Sequence, residues 1–283
     1  MSWWHLHPDV FVWLAVMVGL YFYGLRSVGR PQGLRATRGQ IIWFLSGIAM
    51  LYAGAGTPIH DIGEQRLFSV HMVQHMLFTL VAPPMLLMGL PGWLLRPLIR
   101  PRWSFAVARA LTLALPAMAL FNAVTLITHL PPVVDLALRQ HAVHFLIHVI
   151  LILTASLMWW PVLSPMAELP RLSPPFQMVY LFVQSLVPTV LASFITFARD
   201  VVYPFYAEAP RLWGVSALDD QLVAGLIMKI GGGLILWFVI TGVFFTWVSR
   251  ENRKAEPRPL AWEDVEQELG RMGLTKTASR VEP

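Results

Sequence analysis

Long apolar blocks separated by short polar joints are the feature that most constrains how this chain can fold. Each block holds about 17 to 25 residues, the length that a helix rising about 1.5 Å per residue needs to cross a hydrocarbon core of about 30 Å. Only 13% of the 283 residues are charged and 56% are hydrophobic, whereas soluble domains carry roughly 25% charged residues. The pattern therefore predicts an all-α, polytopic membrane protein.

We expect a bundle of seven transmembrane helices followed by a charged tail. The transmembrane domain covers residues 1–249, and the tail, expected to be cytoplasmic and largely disordered, covers residues 250–283. The predicted helices cover residues 9–25, 41–57, 70–90, 105–128, 142–163, 176–198 and 220–249. An odd number of crossings places the two termini on opposite sides of the lipid bilayer.

Arginine is unevenly distributed between the joints, which predicts the orientation of the chain. The joints at 26–40 and 91–109 each carry four arginines, whereas those at 58–69 and 129–141 carry one each. Basic residues concentrate on the cytoplasmic side of a membrane protein. We therefore expect the N-terminus outside and the C-terminus inside. Because this orientation also explains the net charge of +5, we expect no nucleic-acid partner.

The absence of cysteine narrows the chemistry that the chain can perform. Without cysteine there is no disulfide and no thiolate metal site, so a soft metal ion must be bound by histidine or by some of the 13 methionines. The sequence contains no zinc-protease, serine-hydrolase or phosphate-loop motif. We therefore expect that the protein is not an enzyme.

All nine histidines fall on one side of the predicted membrane topology, outside the bilayer or in the outermost helical turns. They are His5, His7, His60, His71, His75, His129, His141, His144 and His148. The inner joints, which are just as polar, contain no histidine. This one-sided distribution indicates a function for the group as a whole.

Two histidine pairs repeat a four-residue spacing that brings their imidazoles onto one helical face. His71 and His75 begin the third predicted helix, and His144 and His148 begin the fifth, with His141 three residues earlier on the same face. Neutral imidazole is a good ligand for d-block metal ions. Two pairs on neighbouring helices would complete a four-coordinate metal site, although a single pair is more typical of interfacial hydrogen bonding.

Other polar residues at the same level have less specific interpretations. We expect Asp61, Glu64 and Asp135 to be solvated. Asp220 starts the seventh predicted helix, where it can act as an N-cap or support a ligand histidine. Lys229, well inside that helix, is a functional group, or pairs with a carboxylate or a backbone carbonyl, or marks a place where the glycine-rich helix is locally irregular. The Pro83-Pro84 pair should break or kink the third helix.

Several sequence blocks resemble the CtaG-like family of bacterial cytochrome c oxidase assembly proteins. The most specific is His71-Met72-Val73-Gln74-His75 followed by Ala82-Pro83-Pro84, and the resemblance spans about residues 68 to 233. The other blocks are His129-Leu130-Pro131, His144 and His148 with Trp159-Trp160-Pro161, and Asp220-Gln221-Leu222.

The resemblance implies an integral factor of the bacterial plasma membrane that helps to assemble a haem-copper oxidase, with its histidine-rich face on the periplasmic side. The motif histidines of the family carry over onto His71, His75, His129, His144 and His148, and position alone adds His141. The cofactor implied is copper, and we expect Cu(I) because imidazole and thioether ligands suit it. The implied partners are oxidase subunits or their copper chaperones.

Together these expectations describe a membrane chaperone that binds Cu(I) at its outer face and delivers it to the oxidase without catalytic turnover. Two alternatives stay open: a haem-binding membrane protein that transfers electrons, and a copper importer. The sequence also leaves the oligomeric state open, with a homodimer as one option.

Overall fold

A computed structural model of the protein describes residues 7–255 and 262–273, and every regular element in these ranges is helical. The α-helices are α1 (Pro8–Gly24), α2 (Arg38–Ala55), α3 (Pro58–Gln65), α4 (Phe68–Met76), α5 (Ala82–Gly89), α6 (Gly92–Ile99), α7 (Arg102–Thr112), α8 (Ala114–Thr128), α9 (Pro131–Arg139), α10 (His141–Leu163), α11 (Pro174–Thr196), α12 (Pro204–Glu208), α13 (Ala217–Leu226), α14 (Gly232–Ala255) and α15 (Trp262–Arg271). Three π-helical turns, Leu25–Gly29, Leu77–Val81 and Ile227–Gly231, lie between them. The all-α fold class is thus confirmed.

Five stretches of the described chain are long and apolar enough to cross a membrane. They are Pro8–Gln32, Phe68–Gly89, His141–Leu163, Pro174–Thr196 and Ala217–Lys254. Two further spans result if the bent pairs α2–α3 and α7–α8, with angles of 42° and 74°, each count as one. The polytopic bundle is confirmed with five to seven spans, consistent with the seven predicted. The orientation of the termini stays a prediction.

The predicted tail is described only in part. Helix α14 continues into it as far as Ala255, and α15 forms a separate ten-residue helix. The prediction of disorder for residues 256–261 and 274–283 lies outside the described residues.

The proline pair is accommodated by a change of helix type rather than by a break. Pro83 and Pro84 lie in the first turn of α5, and the π-helical turn Leu77–Val81 precedes them, so Phe68–Gly89 remains one span. Pro83 has no amide hydrogen for the carbonyl of Thr79 four residues earlier. The indole Nε1 of Trp159, on α10, donates to that carbonyl at 2.9 Å. Trp159 therefore supplies the hydrogen bond that the proline removes.

Substituting Trp159 with phenylalanine should destabilise the fold by about 2 kcal/mol, because a buried carbonyl is left without its donor. Trp159 is completely buried. The measurement is unfolding of the purified protein in detergent. Trp160→Phe is the control, since the Trp160 indole is only half-buried and donates at 3.2 Å to Leu169. Equal losses in the two variants would contradict this account of the π-helical turn.

Asp220 fixes the start of α4 from another helix. Its carboxylate, on α13, accepts from the backbone amides of Phe68 at 2.6 Å and Ser69 at 3.1 Å. The side chain of Ser216, not Asp220, is the N-cap of α13, accepting from the amide of Asp219 at 3.1 Å. The interpretation of Asp220 as the cap of its own helix is therefore wrong. The carboxylate instead positions the helix that carries His71 and His75.

Lys229 is half-buried within the π-helical turn Ile227–Gly231. Its ammonium nitrogen lies 5.3 Å from the centre of the Phe197 ring, at the end of α11. A cation over an aromatic face is a favourable contact where water is scarce. The charge is therefore accommodated by an aromatic ring.

Candidate metal centre

The two predicted histidine pairs meet where α4 packs against α10. Ring centres lie 5.4 Å apart for His71 and His144, 5.4 Å for His75 and His148, and 5.9 Å for His71 and His148. Within each helix the four-residue spacing leaves ring centres 4.4 Å and 4.2 Å apart. Because residue 71 faces 144 and residue 75 faces 148, the two helices run parallel. The four imidazoles form one cluster, as the spacing predicted.

The cluster contains buried nitrogens that no protein group satisfies. Within the cluster, the following ring atoms are buried without a hydrogen-bond partner: Nδ1 of His71 and Nε2 of His75, His129, His144 and His148. A buried polar atom left unpaired costs about 1 to 3 kcal/mol. Five such atoms in one cluster are poorly explained by packing alone and are well explained by ligand binding.

His71, His75 and His148 form the tightest group. Each offers a ring nitrogen, and the three atoms lie within 4.8 Å of one another. All three side chains are at least nine-tenths buried. Three nitrogens at this separation can converge on one metal ion with small side-chain adjustments. We call this group the three-imidazole position.

His129 joins the cluster from the end of α8. Its Nδ1 lies 2.7 Å from the carbonyl of Thr125, and its ring centre lies 5.3 Å from that of His75. Because a carbonyl oxygen only accepts, Nδ1 carries the proton, and Nε2 keeps a free lone pair. The hydroxyl of Tyr203 donates to the backbone carbonyl of His129 at 3.0 Å. His129 is thus oriented as a ligand would be.

His141 lies apart from the other predicted ligands. It is the first residue of α10, its side chain is 68% exposed, and its Nε2 lies 3.7 Å from the carboxylate of Asp9. Its assignment as a metal ligand stays a prediction that this geometry does not favour. Of the remaining histidines, His7 lies 3.2 Å from Asp61, and His5 is outside the described residues.

Glu64 is the site residue that sequence reasoning missed. Expected to be solvated, it is largely buried, with its Oε1 atom 2.8 Å from Nδ1 of His144 and 2.7 Å from Nδ1 of His60. Asp61, also expected to be solvated, is buried. The 42° bend between α2 and α3 turns these carboxylates inward. A carboxylate beside an imidazole is the usual support for a metal-ligating histidine.

Aromatic side chains pack beside the cluster at the start of α4, where Phe68 and Tyr206 each have a ring centre 6.4 Å from that of His71. The hydroxyl of Tyr206, on α12, donates to the carbonyl of Gly63 at 2.7 Å, and Phe68 packs against Tyr203 and Tyr206. Burial raises the pKa of the Tyr206 hydroxyl well above its ordinary value, and the carboxylates of Glu64 and Asp220 raise it further. Tyr206 therefore remains a donor that holds α12 over α3.

Cavities of different size border the cluster on two sides. One of about 340 Å³ lies beside α1 and α10 and is lined by Glu64, His144 and His148 together with apolar side chains. A second, of about 10 Å³, is lined by His71, His75 and His129 as well as His144. His144 borders both cavities and so lies between them.

Comparison with known proteins identifies the family. The family model described as cytochrome c oxidase caa3 assembly factor (Caa3_CtaG) matches residues 19–250. The uncharacterized proteins Mb0105 of Mycobacterium bovis and MT0111 of Mycobacterium tuberculosis are each 25% identical over 253 residues, covering 81% of this chain and 38% of the relative. This chain thus spans less than two fifths of those relatives. No solved structure matches it.

Proposed function

The chain belongs to the family of cytochrome c oxidase caa3 assembly factors, and on that premise we propose that it binds Cu(I) through its buried imidazole cluster and delivers the ion to the oxidase. The observation that carries the proposal is the set of five buried ring nitrogens without partners, contributed by α4, α8 and α10. Copper is the cargo here, and the protein acts by binding and release rather than by turnover.

The donor atoms around the cluster favour Cu(I) over harder ions. Imidazole nitrogen and thioether sulfur are the ligands in this chain that suit Cu(I), since it has no cysteine. Met72 is buried and lines the same cavity as His71 and His75. A thioether is thus available beside the three-imidazole position.

The cavities next to His75 support a single ion rather than a haem. Those next to His75 and His129 measure about 50 Å³ and 10 Å³, enough for an ion and a few water molecules but not for a porphyrin. Three ring nitrogens within 4.8 Å of one another also exceed the two axial ligands that a haem iron accepts.

Titration of purified wild-type protein with Cu(I), in competition with a chromophoric chelator, tests the proposal directly. We expect one tightly bound Cu(I) per chain. The visible spectrum of the same preparation should lack the Soret band of haem. Protein that leaves all Cu(I) with the chelator, or that purifies with haem, would overturn the proposal.

The proposal places the cluster at the periplasmic side of the plasma membrane, where it could meet oxidase subunits or their copper chaperones. A membrane-impermeant thiol reagent applied to intact cells should then label cysteine at positions 65 and 136 but not at 32 or 254. The wild-type chain, which has no cysteine, is the blank. Labelling at position 32 without labelling at 136 would show that the protein has the opposite orientation in the membrane.

A further inference from the structure

Glu64, His144 and His148 surround a position to which the Cu(I) proposal assigns no ion. We propose that Glu64, His144 and His148 form a second metal position, for a divalent cation such as Zn²⁺ or Cu²⁺, which overlaps the three-imidazole position through His148. Each of the three residues offers a ligand atom, and these atoms lie within 4.8 Å of one another. The inference goes beyond the proposed function and holds whether or not Cu(I) is the cargo.

Glu64 lies close to two histidines but has no aligned hydrogen-bond partner among the described residues. Its Oε1 atom lies 2.8 Å from Nδ1 of His144, yet among the described residues it has no partner with hydrogen-bond geometry. Two ligand atoms, each about 2.0 to 2.2 Å from one tetrahedral ion, are separated by roughly 3.3 to 3.6 Å, so Oε1 and this Nδ1 would move apart by about half an ångström to bind one ion. The buried carboxylate oxygen therefore keeps lone pairs that are available to a cation.

His60 adds a second reason for a cation beside Glu64. The side-chain amide of Gln74 donates to the carbonyl of Gly54 at 3.0 Å, which fixes its orientation, and the same nitrogen lies 3.0 Å from Nδ1 of His60. An amide nitrogen only donates, so this Nδ1 accepts and carries no proton. It nevertheless lies 2.7 Å from Oε1 of Glu64. Two acceptors at this distance repel each other, and a nearby positive ion relieves the repulsion.

The ligand set defines the class of ion. Two imidazoles and one carboxylate form a known set for Zn²⁺, with a position left for water or another ligand. A carboxylate oxygen favours a divalent ion over Cu(I), whereas the three-imidazole position lacks any oxygen ligand. The 340 Å³ cavity borders Glu64, His144 and His148 but neither His71 nor His75. The two positions thus differ both in chemistry and in the cavity that they face.

The shared histidine makes the two positions mutually exclusive. A neutral imidazole keeps a proton on one nitrogen and offers one lone pair, so His148 can bind only one ion at a time. A divalent ion beside Glu64 therefore withdraws a ligand from the three-imidazole position. We expect Zn²⁺ to weaken Cu(I) binding competitively in the wild-type protein.

Zinc titration of full-length variants separates the two positions. With His71→Gln and His75→Gln in place, Zn²⁺ should still bind one per chain. Adding Glu64→Gln should lower that Zn²⁺ affinity at least tenfold. The control in the same background is Glu208→Gln, which alters an exposed carboxylate paired with Arg139, and it should change the affinity less than twofold. Glu64→Gln alone should lower the Cu(I) affinity of the otherwise wild-type protein by a smaller factor than it lowers the Zn²⁺ affinity.

The outcomes distinguish this inference from the proposed function. Failure of the wild type to bind Cu(I), with the zinc results as expected, would remove only the Cu(I) proposal. Equal Zn²⁺ affinity with and without Glu64→Gln would overturn the second position. A loss of Cu(I) affinity in Glu64→Gln as large as the loss of Zn²⁺ affinity would also overturn it, because Glu64 would then merely orient His144. If the triple variant does not fold, His144→Gln replaces Glu64→Gln, with the same expected loss.

Discussion

Replacing His71 and His75 together with glutamine is expected to lower the Cu(I) affinity of the protein by at least about 100-fold. Even groups that only support a metal ligand contribute roughly 10- to 100-fold to affinity, and this change removes two of the three ligands of the three-imidazole position. Glutamine keeps a polar side chain of similar size, so the fold should persist. The measurement is a competition titration of each purified variant against a chromophoric Cu(I) chelator.

His141→Gln is the matched control for the double substitution. It removes an imidazole from the same face of the protein, but from an exposed position beside Asp9, and should change the Cu(I) affinity by less than about twofold. Replacing His144 and His148 together should also lower the Cu(I) affinity, but by a smaller factor, since only His148 belongs to the three-imidazole position. Full-strength binding by both double variants would assign these imidazoles to hydrogen bonding and packing.

Substituting Asp220 with alanine should lower the free energy of unfolding by about 3 kcal/mol. Two backbone amides, those of Phe68 and Ser69, would lose a charged acceptor, and hydrogen bonds to charged groups contribute about 1.5 to 3 kcal/mol each. Asp220 is 3% exposed, so water cannot readily take its place. Because the start of α4 would loosen just before His71, the Cu(I) affinity should fall as well. Unfolding in detergent and the copper titration measure the two effects.

The neighbouring aspartate provides the comparison for this prediction. Asp219 is exposed and accepts a hydrogen bond from Ser216 within its own helical turn, so Asp219→Ala should cost less than about 1 kcal/mol. Asp220→Asn, which keeps one acceptor oxygen without the charge, should lie between the two. If Asp220→Ala unfolds like Asp219→Ala, the start of α4 does not depend on this carboxylate.

The sequence predicts those parts of the centre that depend on spacing within one helix. The four-residue pairs at 71/75 and 144/148 define helical faces, and the requirement for four ligands predicts that α4 and α10 meet. His141 shares that spacing, but helical periodicity alone cannot show that the first residue of α10 is exposed. Whether a histidine on this helical face is buried or exposed depends on the tertiary structure.

Contacts between distant segments are what the sequence could not supply. The segment around Glu64 is a polar joint by its pattern, and only the bend between α2 and α3 turns it toward His144. A carboxylate such as that of Asp220 can accept hydrogen bonds from the first amides of any helix. No local pattern shows that it accepts from the amides of α4, 152 residues away along the chain. The hydrogen bond from Trp159 to Thr79 joins residues 80 positions apart in the chain. A proline inside a helix does indicate that some other group must donate to the freed carbonyl, but it does not indicate which group.

The parallel arrangement of α4 and α10 has an electrostatic consequence for how firmly a cation can be held. His71 and His144 are each the fourth residue of their helix, so both offer their imidazoles at a helix N-terminus, where the peptide dipoles produce a partial positive charge. Each such terminus opposes a nearby cation by about 0.3 to 1 kcal/mol. The carboxylate of Asp220 offsets this effect at the start of α4, and that of Glu64, 2.8 Å from His144, offsets it at the start of α10. The two carboxylates therefore compensate a repulsion that would otherwise weaken the binding of a cation by these imidazoles.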